Sequence, residues 1–135
     1  MRPPEEVKRD LIRQWLRKAE EDLGSAKVLL SHKHPFLFPV GFHCQQAAEK
    51  YLKAFLTLHQ IEFPKTHNLG ELLNLISKVD TKLASSLQDI TALNPYGVDV
   101  RYPGDVPEMK LKDAKKAVEL AEKVRKAILK VMKIK

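Results

Sequence analysis

The stretch from Phe42 to His59, FHCQQAAEKYLKAFLTLH, limits what this chain can fold into more than any other part of it. At about 100° per residue, Ala47, Ala48, Tyr51, Leu52, Ala54, Phe55, Leu56 and Leu58 cover well over half of a helix circumference. A surface helix shows a narrower apolar stripe, so this one is expected in the middle of a bundle. Its only polar strip is Gln46, Lys50, Lys53 and Thr57.

The flanking sequence supplies the neighbours such a helix needs. Glu5 to Leu30 reads as a first helix, opened by Pro3 and Pro4 with acids in its first turn, where they favour the helix dipole. Leu11, Ile12, Trp15, Leu16, Ala19, Leu23, Ala26 and Leu30 fall in one arc, and Asp22 projects into it. A carboxylate among apolar residues needs a partner, because an unpaired buried charge is expensive. Ser31 to Gly41 reads as a connection punctuated by Pro35, Pro39 and Gly41, with Phe36, Leu37 and Phe38 as a covered apolar patch. Its His32 and His34 have no acid or cysteine beside them, so no metal site is expected there.

Further on, Thr66 or Asn68 can cap a third helix, Leu69 to Val79, and a fourth is expected from Thr81 to Leu93. Pro95, Gly97, Pro103, Gly104 and Pro107 then punctuate a long irregular loop that holds Arg101 and Tyr102. A last helix, Lys110 to Met132, turns Leu111, Ala114, Val118, Ala121, Val124, Ile128 and Val131 inward. The expected architecture is therefore all-α, an antiparallel up-and-down bundle of four to five helices, with residues 1–135 forming one domain.

Charge is distributed unevenly. The net +7 comes wholly from Lys110 to Lys135, which holds ten basic and three acidic residues; the remainder is balanced. Lys112, Lys116, Lys123, Lys126, Lys130 and Lys133 form a stripe on one face of the last helix, and Lys116, Lys123, Lys126 and Lys130 are the candidates for binding phosphate or RNA. No apolar run approaches the roughly 20 residues that span a bilayer, and the charged N-terminus lacks the apolar core of a signal peptide. The expectation is a cytoplasmic protein without membrane attachment or cofactor. One cysteine, Cys44, leaves no internal disulfide to form and is expected to be a small inward thiol.

Four segments in order, WLRKAEEDLGSAKVLL, FHCQQAAEKYLKAFL, KTHNLGELL and RYPGD before a closing helix, resemble the HEPN domain family over nearly the whole chain. The resemblance implies the same helical bundle, a homodimer, and a nucleotidyltransferase-like protein as partner in a toxin and antitoxin pair. It also implies binding of a nucleotide or RNA, and in some branches a metal-independent ribonuclease. Those ribonucleases carry an Arg followed after four to six residues by a His. Here the corresponding positions after Arg101 hold Val106, Pro107 and Glu108, and none of His32, His34, His43, His59 and His67 follows an Arg at that spacing.

Three functions follow as expectations: a binding module for a nucleotide, RNA or nucleotidyltransferase; a ribonuclease with a non-standard site made of Arg101, Tyr102 and His67; or a dimerising scaffold. The candidate ligand-binding residues are Asp22, Lys50, Lys53, His67, Arg101 and Tyr102. Asp22 and Arg101 are expected to pair, tying the long loop to the first helix, with His67 on the same side of the bundle.

Overall fold

The computed structural model describes residues 3–97 and 108–133. Arg101 and Tyr102, and with them the expected pairing of Asp22 with Arg101, lie outside the described residues. Within them the chain forms α1 (Pro4–Ser31), α2 (Leu37–Leu58), α3 (Leu69–Ser77), α4 (Thr81–Ser86), a 3₁₀ segment (Gln88–Gly97) and α5 (Leu111–Val131), with no strand. The all-α expectation holds.

α2 is the centre, as its broad apolar surface requires. It packs along α1 and α5 and also touches α3 and the 3₁₀ segment. Tyr51, Leu52, Ala54 and Leu56 are fully buried in it, in one core with Leu23 of α1, Leu72 and Leu73 of α3, and Val124 and Ile128 of α5. Burying a Leu of this kind contributes roughly 2 kcal/mol by removing apolar surface from water, so the α2 core dominates the stability.

Several expected boundaries and faces shift. α2 begins at Leu37, because Pro39 sits in its first turn, where a missing N–H costs no helical hydrogen bond. Leu37 is thereby half-buried and Phe38 lies edge-on to Tyr96, so the expected three-residue patch reduces to Phe36 as its most exposed member. Gly41 lies inside the helix at a close approach: a Cβ there would meet the Met109 side chain at 2.9 Å and the Tyr96 ring at 3.0 Å. The fourth helix stops at Ser86, and the chain continues as 3₁₀ through Pro95, so the irregular loop starts later than expected. Leu11, Leu111 and Val131, expected inward, are exposed. Leu111 and Val131 are the first and last residues of α5, and Leu11 faces an open groove that it lines with Ile61 and Phe63. Ala117 and Leu120 are buried in their place on α5.

The end of α2 is set by its backbone. Gln60 adopts φ 55°, Ile61 N–H donates to Leu56 O at 2.9 Å and Gln60 N–H to Thr57 O at 3.1 Å. This paired closure is a Schellman turn, and it sends residues 61–67 back along α2. Asn68 then caps α3, its side chain accepting from the N–H groups of Gly70 and Glu71.

α5 is held to its neighbours by peripheral ion pairs as well as by its apolar face. Arg125 Nε donates to Glu20 at 2.8 Å, and Lys27 meets Glu122. Beneath them the Tyr51 hydroxyl is buried near the Glu20 carboxylate, and makes no hydrogen bond of normal geometry among the described residues. Burial, and then the charge of Glu20, push the Tyr51 phenol well above its ordinary value, while the Glu20 carboxylate itself is held by Arg125. Leaving a buried hydroxyl unpaired costs about 1 kcal/mol or more, so Tyr51→Phe is expected to be neutral to about 1 kcal/mol stabilising at neutral pH. Alkaline pH widens the difference. The unfolded phenol ionises at about 10 while the folded one stays protonated, so wild type loses stability as pH rises above that value. Tyr51→Phe should lose less. Urea midpoints of both proteins at neutral and alkaline pH check this, and equal losses in the two would refute it.

Candidate functional site

The polar side of α2 gathers the candidate ligand-binding residues that the structure describes, Asp22, Lys50, Lys53 and His67. His43, Gln46 and Lys50 lie toward α1, while Gln45, Glu49 and Lys53 lie toward the segment 63–67, so the polar side chains form one continuous arc of the helix.

On the α1 side, Asp22 is the hub. Its Oδ1 lies 2.8 Å from His43 Nδ1, and its Oδ2 accepts from the Lys50 ammonium. The cation that Asp22 requires is therefore Lys50, and His43 is its second partner, both on α2. Lys50 is among the expected site residues; His43 is not.

On the other side, Glu49 is nearly fully buried, its side chain only 4% exposed, and each of its oxygens is used. Oε2 accepts from Lys53 Nζ at 2.9 Å and Oε1 lies 2.8 Å from His67 Nδ1. Lys53, expected on the polar strip, is buried at 8% side-chain exposure. It is enclosed because the returning segment brings Phe63 over it. Its ammonium lies 5.5 Å from the Trp15 ring centroid and 5.6 Å from that of Phe63, the two rings meeting edge to face at 6.2 Å. Cation–π attraction of this kind compensates part of the lost hydration.

Gln45 completes the arrangement. Fully buried, it donates to the His67 carbonyl at 2.8 Å and accepts from Gln46 Nε2 at 2.7 Å. The His67 backbone and ring are thus both fixed from α2, while the ring itself remains 63% exposed. The structure brings Asp22, Lys50, Lys53 and His67 onto one side of α2. Glu49 and Gln45 escape the sequence reading, although Glu49 and Lys53 stand four apart, the spacing at which a Glu and a Lys meet on a helix.

Cys44, in the same helix, faces the core and is fully buried; burial pushes its thiol up to about 12, which leaves it protonated and unreactive. No group of three or more His, Cys, Asp or Glu among the described residues could hold a metal. No helix there is long and apolar enough to cross a membrane.

The lysine stripe lies elsewhere. Lys115, Lys116, Lys123 and Lys126 line a groove of about 570 Å³ beside the 3₁₀ segment, together with Asp89, Glu119 and Glu122. Lys123 reaches both oxygens of Asp89 at 2.9 Å, and Lys116 approaches Glu119 at 3.9 Å. Lys115 and Lys126 have no ion-pair partner among the described residues. Lys130 is exposed outside the groove.

The class of protein is thus an all-α bundle built on one central helix. The HEPN domain model matches residues 12–132, and the chain belongs to the HEPN family. It is 32% identical over 129 residues to a Methanocaldococcus jannaschii protein named "Putative toxin MJ1304", covering 84% of this chain and 83% of that protein. The crystal structure of TT1696 from Thermus thermophilus superposes with a TM-score of 0.69 at 25% identity, over 88% of this chain and 96% of that one. ST0689, an archaeal HEPN homologue, gives a TM-score of 0.67 at 21% identity, over 87% and 93%.

Proposed function

We propose that this chain is a toxin-like HEPN module that acts by binding a phosphate-bearing ligand, RNA or a nucleotide, along α5. The observation that carries this reading is the groove beside the 3₁₀ segment, where Lys115 and Lys126, without an ion-pair partner among the described residues, stand beside Lys116 and Lys123. A phosphate entering it meets the Lys115 and Lys126 ammonium groups and competes with Asp89 for that of Lys123. The related M. jannaschii protein, by its name, supports the toxin-like part. A homodimer and a nucleotidyltransferase-like partner belong to the same reading, and light scattering and co-purification test them.

Binding along the stripe predicts a salt signature. Each phosphate neutralised releases counterion, so the logarithm of affinity falls with the logarithm of salt at a slope of roughly 0.7 per contact for a single strand. Replacing Lys123, Lys126 and Lys130 together by Gln should weaken RNA binding and flatten that slope by about 2. Titrations of single-stranded RNA and of a nucleoside triphosphate, each at several salt concentrations, separate the two ligands. Equal affinity and slope in wild type and triple variant would show the lysines to be a solvated face.

A further inference from the structure

We propose that Glu49, anchored by Lys53, makes His67 a surface base whose Nε2 accepts a proton from a hydroxyl group of a bound ligand. This goes beyond phosphate binding along α5 and does not depend on it, since the residues and the surface are different.

The geometry fixes where the ring hydrogen lies. An ionised carboxylate only accepts hydrogen bonds, and Glu49 Oε1 lies 2.8 Å from Nδ1, so Nδ1 carries the hydrogen. In the neutral ring that leaves the lone pair on Nε2. Nε2 has no partner among the described residues, and the ring is 63% exposed. Histidines that act as bases or ligands are oriented in this way, one nitrogen held by a carboxylate and the other free to react.

Glu49 is itself held rather than merely near. Its other oxygen binds Lys53, whose ammonium is packed between Trp15 and Phe63, so the carboxylate cannot swing toward solvent. Gln45 fixes the His67 carbonyl. Glu49 and Lys53 are then positioning residues, and His67 is the group that meets the ligand. On proton transfer the ligand O–H bond breaks, its electron pair stays on the ligand oxygen, its proton moves to Nε2, and the imidazolium is left against the Glu49 carboxylate.

The tautomer is directly measurable. In the full chain with ¹⁵N-labelled histidine, two-bond ¹H–¹⁵N correlation under conditions where the ring is neutral should show His67 with its hydrogen on Nδ1. In Glu49→Gln the Gln carbonyl oxygen should turn to Lys53 and present its amide N–H to Nδ1, which moves the His67 hydrogen to Nε2. Reactivity supplies the second readout. Carbethoxylation of His67 by diethyl pyrocarbonate, mapped by mass spectrometry, should slow several-fold in Glu49→Gln while that of the exposed His59 stays constant. An Nε2–H tautomer in wild type would overturn the proposal. So would an unchanged tautomer, or an unchanged rate at His67, in a Glu49→Gln protein whose circular dichroism shows it folded. RNA binding in the same variant is unaffected on this proposal, so its failure and that of the α5 reading are separately visible.

Discussion

Replacing Lys53 by Met is expected to destabilise the protein by about 3 kcal/mol, the lower part of the range for removing one partner of a buried ion pair. Met matches the Lys stem and keeps contact with Trp15 and Phe63, so the loss isolates the charge. What remains is a carboxylate at 4% exposure with no Lys or Arg beside it among the described residues, held only by His67 and by a long contact from Gln45 Nε2 at 3.4 Å. The companion substitution separates this from lost packing. Lys53→Met combined with Glu49→Leu should recover most of the stability, since a buried pair replaced by apolar residues of similar size is often neutral. Urea unfolding of the four proteins in the cycle measures the coupling. A loss below about 1 kcal/mol in Lys53→Met would mean that water reaches Glu49 and that the pair is not buried in solution.

Gly97→Ala is expected to cost about 2 kcal/mol, within the range for overpacking. A Cβ on Gly97 would stand 2.4 Å from Gln45 Cδ and 2.7 and 2.8 Å from its amide oxygen and nitrogen. Gln45 is the flexible partner, but it is fully buried and its amide holds both the His67 carbonyl and Gln46. Moving it leaves buried polar groups unpaired, which costs more than the contact alone. In a Gln45→Ala background the same Gly97→Ala change should cost much less, because the obstruction is gone. If thermal unfolding shows equal costs in both backgrounds, the clash is relieved through the backbone instead.

The two sides of α2 differ in how far the sequence discloses them. Helix periodicity suffices for α1, α2 and α5, since each is long enough for its apolar spacing to repeat. It fails at Pro39, which reads as a breaker but stands where a helix tolerates it. It fails again from Gln88 to Gly97, because 3₁₀ turns leave no 3.6-residue pattern. Asp22 is legible as a residue in need of a cation, because a lone carboxylate in an apolar arc stands out. The burial of Lys53 is not legible from its place on the polar strip, because it depends on Trp15 of α1 and on the return of Phe63 across α2. Glu49 and Gln45 stay hidden because their roles depend on where residue 67 comes to rest, a contact between residues 18 and 22 apart in the chain.

Trp15 is the chain's single tryptophan, and it stands against the Lys53 ammonium and the edge of Phe63. All tryptophan emission from the protein therefore originates at the junction of α1, α2 and the segment that carries His67. An unfolding curve followed by that emission is a local record of this junction, whereas far-ultraviolet circular dichroism averages over every helix. Where the two curves coincide, the junction opens only with the whole bundle. Where emission changes first, the His67 segment has lifted from α2 while the helices remain intact, and the molecule itself reports the step.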